Sequence, residues 1–280
     1  MHDTPNLIPI RAAEGRQSHD ASHGPLLSVI IPVFNEERTI DALLRRVLAA
    51  PYSKQVIVVD DGSTDGTPAL LRTWQGRPEV EIHSQAVNSG KGAAIRVGIG
   101  AAKGRFVVIQ DADLEYDPQD YPKLIEPLEQ GTEQVVFGSR YLQRPEAMGA
   151  LLFRTGVRVI NWAVKLLYGI RLTDEATCYK AMPTSLLKAL DLQCERFEFC
   201  PEVTAKICRL GIRIAEVPIS YHARATSEGK KIRLVDGIEA LQTLWRWRKW
   251  LPAQSDGPRI LPFPASTAEH ENRSSRRMAA

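Results

Sequence analysis

Short apolar, β-branched runs alternate with amphipathic segments along the first half of the chain. The runs predict strands, and the segments between them have the apolar spacing of helices. The predicted strands cover residues 27–34, 55–60, 80–84, 105–110 and 134–138, and the predicted helices cover 36–49, 65–74, 91–102 and 119–128. Because helices between successive strands allow those strands to run parallel, the pattern predicts an α/β fold with a mostly parallel sheet covered on both faces.

Polar, proline-containing stretches without apolar periodicity lie at both ends of the chain. Residues 1–24 and 252–280 are therefore predicted to be flexible tails. Between them we predict a main domain over residues 25–221, followed by a basic loop and an amphipathic, Trp-rich helix over residues 222–251.

Composition and charge exclude several classes of protein. The 280 residues are 44% hydrophobic and 25% charged, which is typical of a globular chain. A net charge of +3 is too small for a general nucleic-acid binder, so we expect no nucleic-acid partner. The sequence has neither a membrane-spanning apolar run nor a secretory signal, so we expect a cytoplasmic protein. Its four cysteines lack metal-site spacing and are predicted to be reduced, mostly buried thiols.

Four turns follow predicted strands or start a helix at the edge where α/β sheets bind ligands. They cover residues 32–36, 60–63, 88–92 and 110–115. Three of them carry acidic side chains, which suit a divalent cation and the N–H groups of a base. Residues 88–92 lack the Walker A pattern and residues 98–104 lack the dinucleotide spacing, so ATP hydrolysis and nicotinamide chemistry are excluded.

Alternating carboxylates follow the strand predicted over residues 105–110. If the chain stays extended there, Asp111, Asp113 and Glu115 point to the same side. Hard oxygen ligands suit Mg²⁺ or Mn²⁺, and a nucleoside diphosphate would complete the coordination shell. The alternative is a solvated acidic turn, because Asp117 and Pro118 are typical of a turn.

A second acidic turn follows the strand predicted over residues 55–60. A carboxylate of Asp60 or Asp61 could accept a hydrogen bond from a base or a ribose hydroxyl. Alternatively, Ser63 or Thr64 simply caps the next helix. Both interpretations are compatible. In the neighbouring turn, Lys91 is expected to meet ribose or phosphate at a helix start.

Four motifs in chain order resemble the family 2 inverting glycosyltransferases: SVIIPVFNE (28–36), DDGSTDGT (60–67), NSGKG (88–92) and DADLE (111–115). GSRY (138–141), TDEATCYK (173–180) and EGKKI (228–232) are similar to the branch that makes mannosyl or glucosyl dolichyl or polyprenyl phosphates. The resemblance implies a Rossmann-like, glycosyltransferase A-type fold whose main domain is a nucleotide-sugar-binding catalytic domain. It also implies a GDP-mannose or UDP-glucose type donor and Mg²⁺ or Mn²⁺.

The same resemblance implies roles for individual residues at the donor site. Asp61 would read the base, Asp111 would contact the ribose or the metal, and Asp113 with Glu115 would bind the metal. The further nucleotide-binding residues would be Pro32, Phe34, Glu36, Asp60, Lys91 and Ala112. The chain departs from the family at three of its motif positions, namely Phe34 in place of a frequent Tyr, Glu115 in place of Gln, and Cys178 in place of Gly.

A lipid phosphate acceptor needs cations rather than a strong base, because a phosphate monoester has a second pKa of about 6. Arginine matches phosphate oxygens best. The candidate acceptor ligands are Arg140, Arg154, Arg224, Lys230 and Lys231, each of which could instead be a solvated surface charge. Asp113, Arg140 and Asp174 are the predicted catalytic residues. Asp174 would orient the sugar or acceptor, or cap a turn with Thr177.

Two segments suggest peripheral attachment to the cytosolic face of a membrane. Residues 149–168 form an apolar helix with a polar stripe of Arg154, Arg158, Asn161 and Lys165. Residues 234–250 end in WRWRKW, and Trp beside Lys or Arg suits the headgroup zone. Residues 224–250 carry seven basic and three acidic residues, a surplus of +4. The alternative is that both helices pack on the domain with their tryptophans in its core.

Three functions remain open from the sequence. The first is transfer of a hexose to a polyprenyl or dolichyl phosphate. The second keeps the donor but uses a saccharide or protein acceptor, for which Asp174 would have to act as a general base. The third is a non-catalytic, membrane-associated nucleotide-sugar binder, because a fold alone does not decide function. UDP and GDP donors are not distinguished.

Overall fold

The computed structural model describes residues 24–142, 151–223 and 234–252. Within these ranges, seven strands form one mixed sheet in the order β3-β2-β1-β4-β6-β5-β7. The strands are β1 (Leu27–Val33), β2 (Lys54–Asp60), β3 (Val80–Ser84), β4 (Phe106–Ile109), β5 (Val136–Ser139), β6 (Lys180–Pro183) and β7 (Ala215–Pro218). The helices are α1 (Ile40–Ala49), α2 (Thr67–Arg72), α3 (Lys91–Ala101), α4 (Tyr121–Glu129), α5 (Leu151–Tyr168), α6 (Thr184–Ala189), α7 (Phe199–Arg209) and α8 (Leu234–Trp247).

Strand direction brings the predicted turns to one edge of the sheet. β1 pairs in parallel with β2 and β4, and β2 pairs in parallel with β3. β6 runs antiparallel between β4 and β5, while β7 is parallel to β5. The carboxyl ends of β1, β2 and β4 and the amino end of β6 therefore meet at the same edge, which is called the ligand edge below.

Helices cover both faces of the sheet, as predicted. Alternate residues of β1 point to opposite faces: Val29 and Ile31 pack with α1, α2 and α4, whereas Ile30 packs with α3 and α5 to α8. The predicted elements are confirmed with small shifts of their ends. The largest shift is at α1, which begins at Ile40 because residues 37–39 form a turn whose Thr39 and Ile40 amides donate to the Glu36 carbonyl.

A buried lysine attaches the C-terminal helix α8 to α7. Lys206 Nζ lies 2.6 Å from Glu202 Oε1, and both side chains are at most 1% exposed. The ammonium also lies 4.0 Å from the ring centroid of Trp247 and 5.2 Å from that of Trp250. These two tryptophans are partly buried against the core, which favours the alternative that they pack on the domain. Trp245 is 57% exposed.

The predicted domain boundaries remain predictions. Ala240 and Leu244 of α8 are buried in the same core as α5 and α7. Nearly all of both predicted tails lies outside the described residues. In the described ranges, no helix combines the length and apolar character needed to cross a bilayer.

Replacing Lys206 by Met should destabilise the protein by about 3–5 kcal/mol, because the change leaves Glu202 buried without its cation. Urea unfolding followed by tryptophan fluorescence measures this loss. The matched control is Lys249→Met, which removes an exposed lysine close to the same tryptophans and should change stability by less than about 0.5 kcal/mol. Equal stabilities for the two variants would contradict the anchoring role of Lys206.

Candidate active site

Two loops at the ligand edge hold each other in place. Ser63 Oγ accepts from the Asn35 amide at 2.9 Å, and Asn35 Oδ1 accepts from the Thr64 amide at 2.8 Å. The expectation that Ser63 or Thr64 caps α2 is therefore wrong, since α2 starts only at Thr67. Among the predicted nucleotide contacts in these loops, Phe34 and Glu36 are partly exposed, whereas Pro32 is buried in β1.

Asp61 links its own turn to the turn before α3. The residue is 2% exposed, and its two carboxylate oxygens accept hydrogen bonds from the amides of Ser89 (2.8 Å) and Gly90 (2.7 Å). Gly90 has a φ of 100°, a conformation that favours glycine. This geometry gives Asp61 a role in positioning the backbone of the turn before α3, while each carboxylate oxygen keeps a second lone pair, so its contact with a base stays a prediction. Asp60, 3% exposed, accepts from the Ser63 amide.

Lys91, the first residue of α3, presents a cation at the ligand edge. Its Nζ lies 2.5 Å from Asp111 Oδ1 and donates to Cys178 Sγ at 3.1 Å. Burial lowers the pKa of Lys91, but the charge of Asp111 outweighs that effect and keeps the pKa well above its usual value. The lysine side chain is 23% exposed, so this permanent charge is reachable from solvent.

The acidic segment after β4 turns instead of staying extended. Leu114 has a φ of 62° in the left-handed region, and Asp113 Oδ1 accepts from the Glu115 amide at 3.1 Å. Glu115 Oε2 accepts from the Tyr221 hydroxyl at 2.5 Å. The predicted alignment of Asp111, Asp113 and Glu115 is therefore wrong. Within the parts of the chain that are described, no three Asp, Glu, His or Cys side chains are grouped to hold a metal.

Two carboxylates of this turn still fit a hard divalent cation. Mg²⁺ usually takes only one or two protein carboxylates and completes its shell with water and phosphate oxygens. Asp111 already attracts a cationic group, the ammonium of Lys91. Asp111 and Asp113 therefore suit Mg²⁺ or Mn²⁺ better than a set that includes Glu115. Ala112, between them, is 5% exposed.

A buried ion pair follows β5. Arg140 Nε and Nη2 donate to Asp174 Oδ2 and Oδ1, each at 2.7 Å, and the two side chains are 4% and 0% exposed. Burial lowers the pKa of Arg140, but Asp174 raises it further, so the guanidinium stays charged. Because both Asp174 oxygens are engaged, Asp174 is poorly placed to act as a general base. The Thr177 amide donates a weak hydrogen bond of 3.5 Å to the backbone carbonyl of Asp174, so the main chain closes this turn and the Asp174 side chain does not cap it.

Next to this ion pair, two buried polar atoms have no hydrogen-bond partner among the described residues. They are the hydroxyl of Tyr141 and Nε of Arg154 in α5. Burial raises the pKa of Tyr141, while the charges of Arg140, Arg154 and Arg158 act in the opposite direction. A hydroxyl surrounded by three arginines suits an anionic ligand. The remaining predicted acceptor ligands, Arg224, Lys230 and Lys231, lie outside the described residues.

Aromatic residues that the sequence analysis missed join the two halves of the site. The rings of Tyr116 and Tyr221 are 5.5 Å apart, and the Arg140 guanidinium lies 6.0 Å and 5.2 Å from their centroids. Burial raises the pKa of Tyr116, as do the charges of Asp111 and Asp174, while Arg140 lowers it. Tyr116 is thus close enough to be influenced by both Asp111 and Arg140. Tyr141 was present in the GSRY motif, but no sequence signal pointed to Tyr116 or Tyr221.

Comparison with known proteins identifies the family. Residues 28–164 match the model of Glycosyl transferase family 2. An undecaprenyl-phosphate mannosyltransferase of Micrococcus luteus is 31% identical over 229 residues, covering 78% of this chain and 92% of the relative. A dodecaprenyl-phosphate galacturonate synthase of Rhizobium johnstonii is 31% identical over 215 residues, covering 75% and 62%. An undecaprenyl-phosphate 4-deoxy-4-formamido-L-arabinose transferase of Edwardsiella ictaluri is 32% identical, covering 73% and 62%. The chain thus spans less than two thirds of the length of the latter two relatives.

Solved structures confirm the fold. Glucosyl-3-phosphoglycerate synthase from Mycobacterium tuberculosis in complex with UDP superposes with a TM-score of 0.64 at 23% identity, covering 83% of each chain. The same enzyme with Mn²⁺, UDP and phosphoglyceric acid gives a TM-score of 0.63 at 22% identity, covering 83% and 82%. At this identity the likeness supports the glycosyltransferase A-type fold alone. The family match and the relatives above show that the chain belongs to glycosyl transferase family 2.

Proposed function

We propose that this enzyme transfers a hexose, with inversion, from a nucleotide diphosphate sugar to a polyprenyl or dolichyl phosphate at the cytosolic face of a membrane. One observation carries the proposal: a carboxylate side and an arginine side adjoin across Tyr116. Asp111 and Lys91 form the first side, and Arg140 and Arg154 belong to the second. A donor diphosphate with its cation suits the first side, and an acceptor phosphate suits the second.

The donor side recognises a nucleotide diphosphate of the GDP-mannose or UDP-glucose type. Phe34 and Glu36 are partly exposed and would contact the base and ribose, and Lys91 would contact a phosphate. Asp111 and Asp113 would hold Mg²⁺ or Mn²⁺. When bound, the ion supplies Lewis-acid stabilisation of the leaving diphosphate. The Mn²⁺ and UDP in the complex of the structurally similar synthase support this choice.

The acceptor side binds and positions an anion. The Tyr141 hydroxyl and Arg154 Nε are buried donors without a partner among the described residues, and a phosphate would satisfy both. The ionised phosphate oxygen attacks the anomeric carbon directly, so no general base is needed. A saccharide or protein acceptor would need one, and both Asp174 oxygens are bonded to Arg140. The names of the three relatives, all acting on polyprenyl phosphates, support the same acceptor.

Outward-facing apolar residues support contact with a membrane. On α5, Trp162 is 62% exposed and Leu166 is 67% exposed, and on the neighbouring α8, Ile238 and Trp245 are 56% and 57% exposed. The two helices are joined by a hydrogen bond from the Tyr168 hydroxyl to the Leu244 carbonyl. Exposed Lys165 and Arg246 lie beside these residues in sequence. Trp and aliphatic side chains next to cations suit an anionic headgroup layer.

With labelled UDP-glucose or GDP-mannose, Mn²⁺ and undecaprenyl phosphate in detergent, we expect one donor to give label in the organic phase. Arg154→Gln should raise the KM for the lipid phosphate about 10–100-fold, the effect expected when one hydrogen bond between charged groups is lost. The KM for the donor should not change. Measured initial rates at varied lipid and donor concentrations separate these effects.

The matched control for this assay is Arg171→Gln, just after the end of α5, where the side chain is exposed. It should change the lipid KM by less than about threefold, the scale of an exposed charge. Transfer to a water-soluble saccharide without lipid, at an equal rate, would contradict the acceptor assignment. Binding of donors without any turnover would identify a non-catalytic nucleotide-sugar binder.

Asp113→Asn should weaken Mn²⁺-dependent stabilisation by UDP or GDP, whereas Glu115→Gln should retain it. The reason is that the Glu115 carboxylate is held by Tyr221, outside the proposed pair of metal ligands. We expect at least about a tenfold loss of Mn²⁺ affinity for Asp113→Asn, measured by thermal shift with each nucleotide and varied Mn²⁺. Equal losses in the two variants would indicate three metal ligands.

Trp162→Ala and Trp245→Ala should each weaken binding to vesicles containing phosphatidylglycerol by about tenfold, since burying such a side chain contributes about 1.5 kcal/mol or more. Co-sedimentation at varied lipid concentration measures the effect. Val97→Ala, at an exposed position on α3, is the control and should bind as the unmodified protein does. Unchanged binding of both Trp variants would exclude these two helices as the membrane contact.

A further inference from the structure

Two cysteines, Cys178 and Cys200, lie close to the side chain of Lys91. Cys178 lies in the loop before β6, and Cys200 is the second residue of α7. The two thiols are close enough for each to shift the pKa of the other. Cys200 Sγ also lies 3.3 Å from the Thr177 carbonyl oxygen, which is one peptide unit from Cys178. Lys91 Nζ donates to Cys178 Sγ at 3.1 Å. A thiol pair and a cation thus form one cluster at the ligand edge.

We propose that Cys178 and Cys200 are a modification site at which a peroxide forms a disulfide, and that this crosslink withdraws Cys178 from Lys91 and weakens donor binding. The effect on donor binding rests on the proposed function, whereas the disulfide itself does not.

The surroundings of the cluster distinguish these two thiols from the other cysteines. The neighbouring Cys178 thiol and the charges of Lys180 and Lys91 lower the pKa of Cys200, although burial opposes them. Cys200 is also partly exposed. By contrast, burial raises the pKa of Cys194, and it raises that of Cys208 to about 12. Because Cys200 is partly exposed whereas Cys178 is buried, peroxide reaches Cys200 first, and Cys200 is the attacking thiolate. Cys194 and Cys208 stay as thiols.

The chemistry takes two balanced steps. The Cys200 thiolate attacks one oxygen of hydrogen peroxide, the O–O bond breaks, and Cys200 sulfenic acid and hydroxide form. The Cys178 sulfur then attacks the sulfenic sulfur, and the departing hydroxyl takes up the Cys178 proton to leave as water. Overall, two thiols are oxidised, one peroxide is reduced, and two waters are released.

The crosslink would act on the donor side through Lys91. A disulfide sulfur is a poorer partner for an ammonium than a thiol or thiolate, so Lys91 would be left with Asp111 alone. A lysine held only by Asp111 competes more strongly with a divalent cation for that carboxylate. The segment before α7 also packs closely against the start of α3, next to Lys91. A Cβ on Gly92 would lie only 2.9 Å from the backbone oxygens of Cys194 and Arg196.

The full chain is treated with hydrogen peroxide, alkylated, digested and mapped by mass spectrometry. We expect a peptide pair linked through Cys178 and Cys200, which is reversed by dithiothreitol, with Cys194 and Cys208 alkylated. Cys200→Ser should abolish the link. Cys178→Ser should leave a sulfenic acid on Cys200 that dimedone traps. Cys208→Ser, the matched control, should form the link normally.

Two results would overturn the modification site: Cys178 and Cys200 both alkylated after oxidation, or links distributed equally among all four cysteines. In a second arm, Mn²⁺-dependent stabilisation by UDP and GDP is compared for reduced and oxidised protein. We expect a smaller thermal shift after oxidation, and no change in Cys200→Ser. An equal shift in both forms overturns the coupling to Lys91. Failure of the proposed function gives a different result, because neither nucleotide would then stabilise even the reduced protein.

Discussion

The buried ion pair between Arg140 and Asp174 organises the site. It joins the end of β5 to the loop before β6, so it fixes the positions of Tyr141 on one side and Cys178 on the other. Two charges with at most 4% exposure are stable only as partners, and removing one costs about 3–5 kcal/mol because the other is left buried. The Asp174 amide is held in turn by Glu216 of β7, so three parts of the sheet meet at this pair.

Charge is divided across the ligand edge by aromatic side chains. In the function proposed above, Asp111 and Asp113 serve the donor, and Arg140 and Arg154 serve the acceptor phosphate. Tyr116 and Tyr221 lie beside the Arg140 guanidinium, with ring centroids at 6.0 Å and 5.2 Å. Such a division suits a reaction in which an anion attacks while a second anion departs, because each anion then has its own cationic partner.

The sequence predicted five of the seven described strands, missing β6 and β7, and it predicted the site only in part. Strand and helix positions follow from local hydrophobic periodicity. In β1, for example, Val29 and Ile30 point to opposite faces of the sheet. The acidic turn was misjudged because Leu114 adopts a left-handed conformation that no pattern of side chains signals. The contacts of Asp61 and Trp247 were not predicted for another reason: their partners, Ser89 and Lys206, are distant along the chain or on another helix. Contacts of that kind are decided by packing.

The reversed direction of β6 has a consequence for how the chain supplies its chemistry. In a wholly parallel sheet, only residues that follow a strand reach the edge where ligands bind. β6 runs antiparallel to β4, so the residues that precede it arrive at that edge as well. Asp174 and Cys178 lie at the ligand edge for this reason, because they precede β6 instead of following a strand. One antiparallel strand thus allows the ligand edge to hold residues that precede a strand as well as residues that follow one.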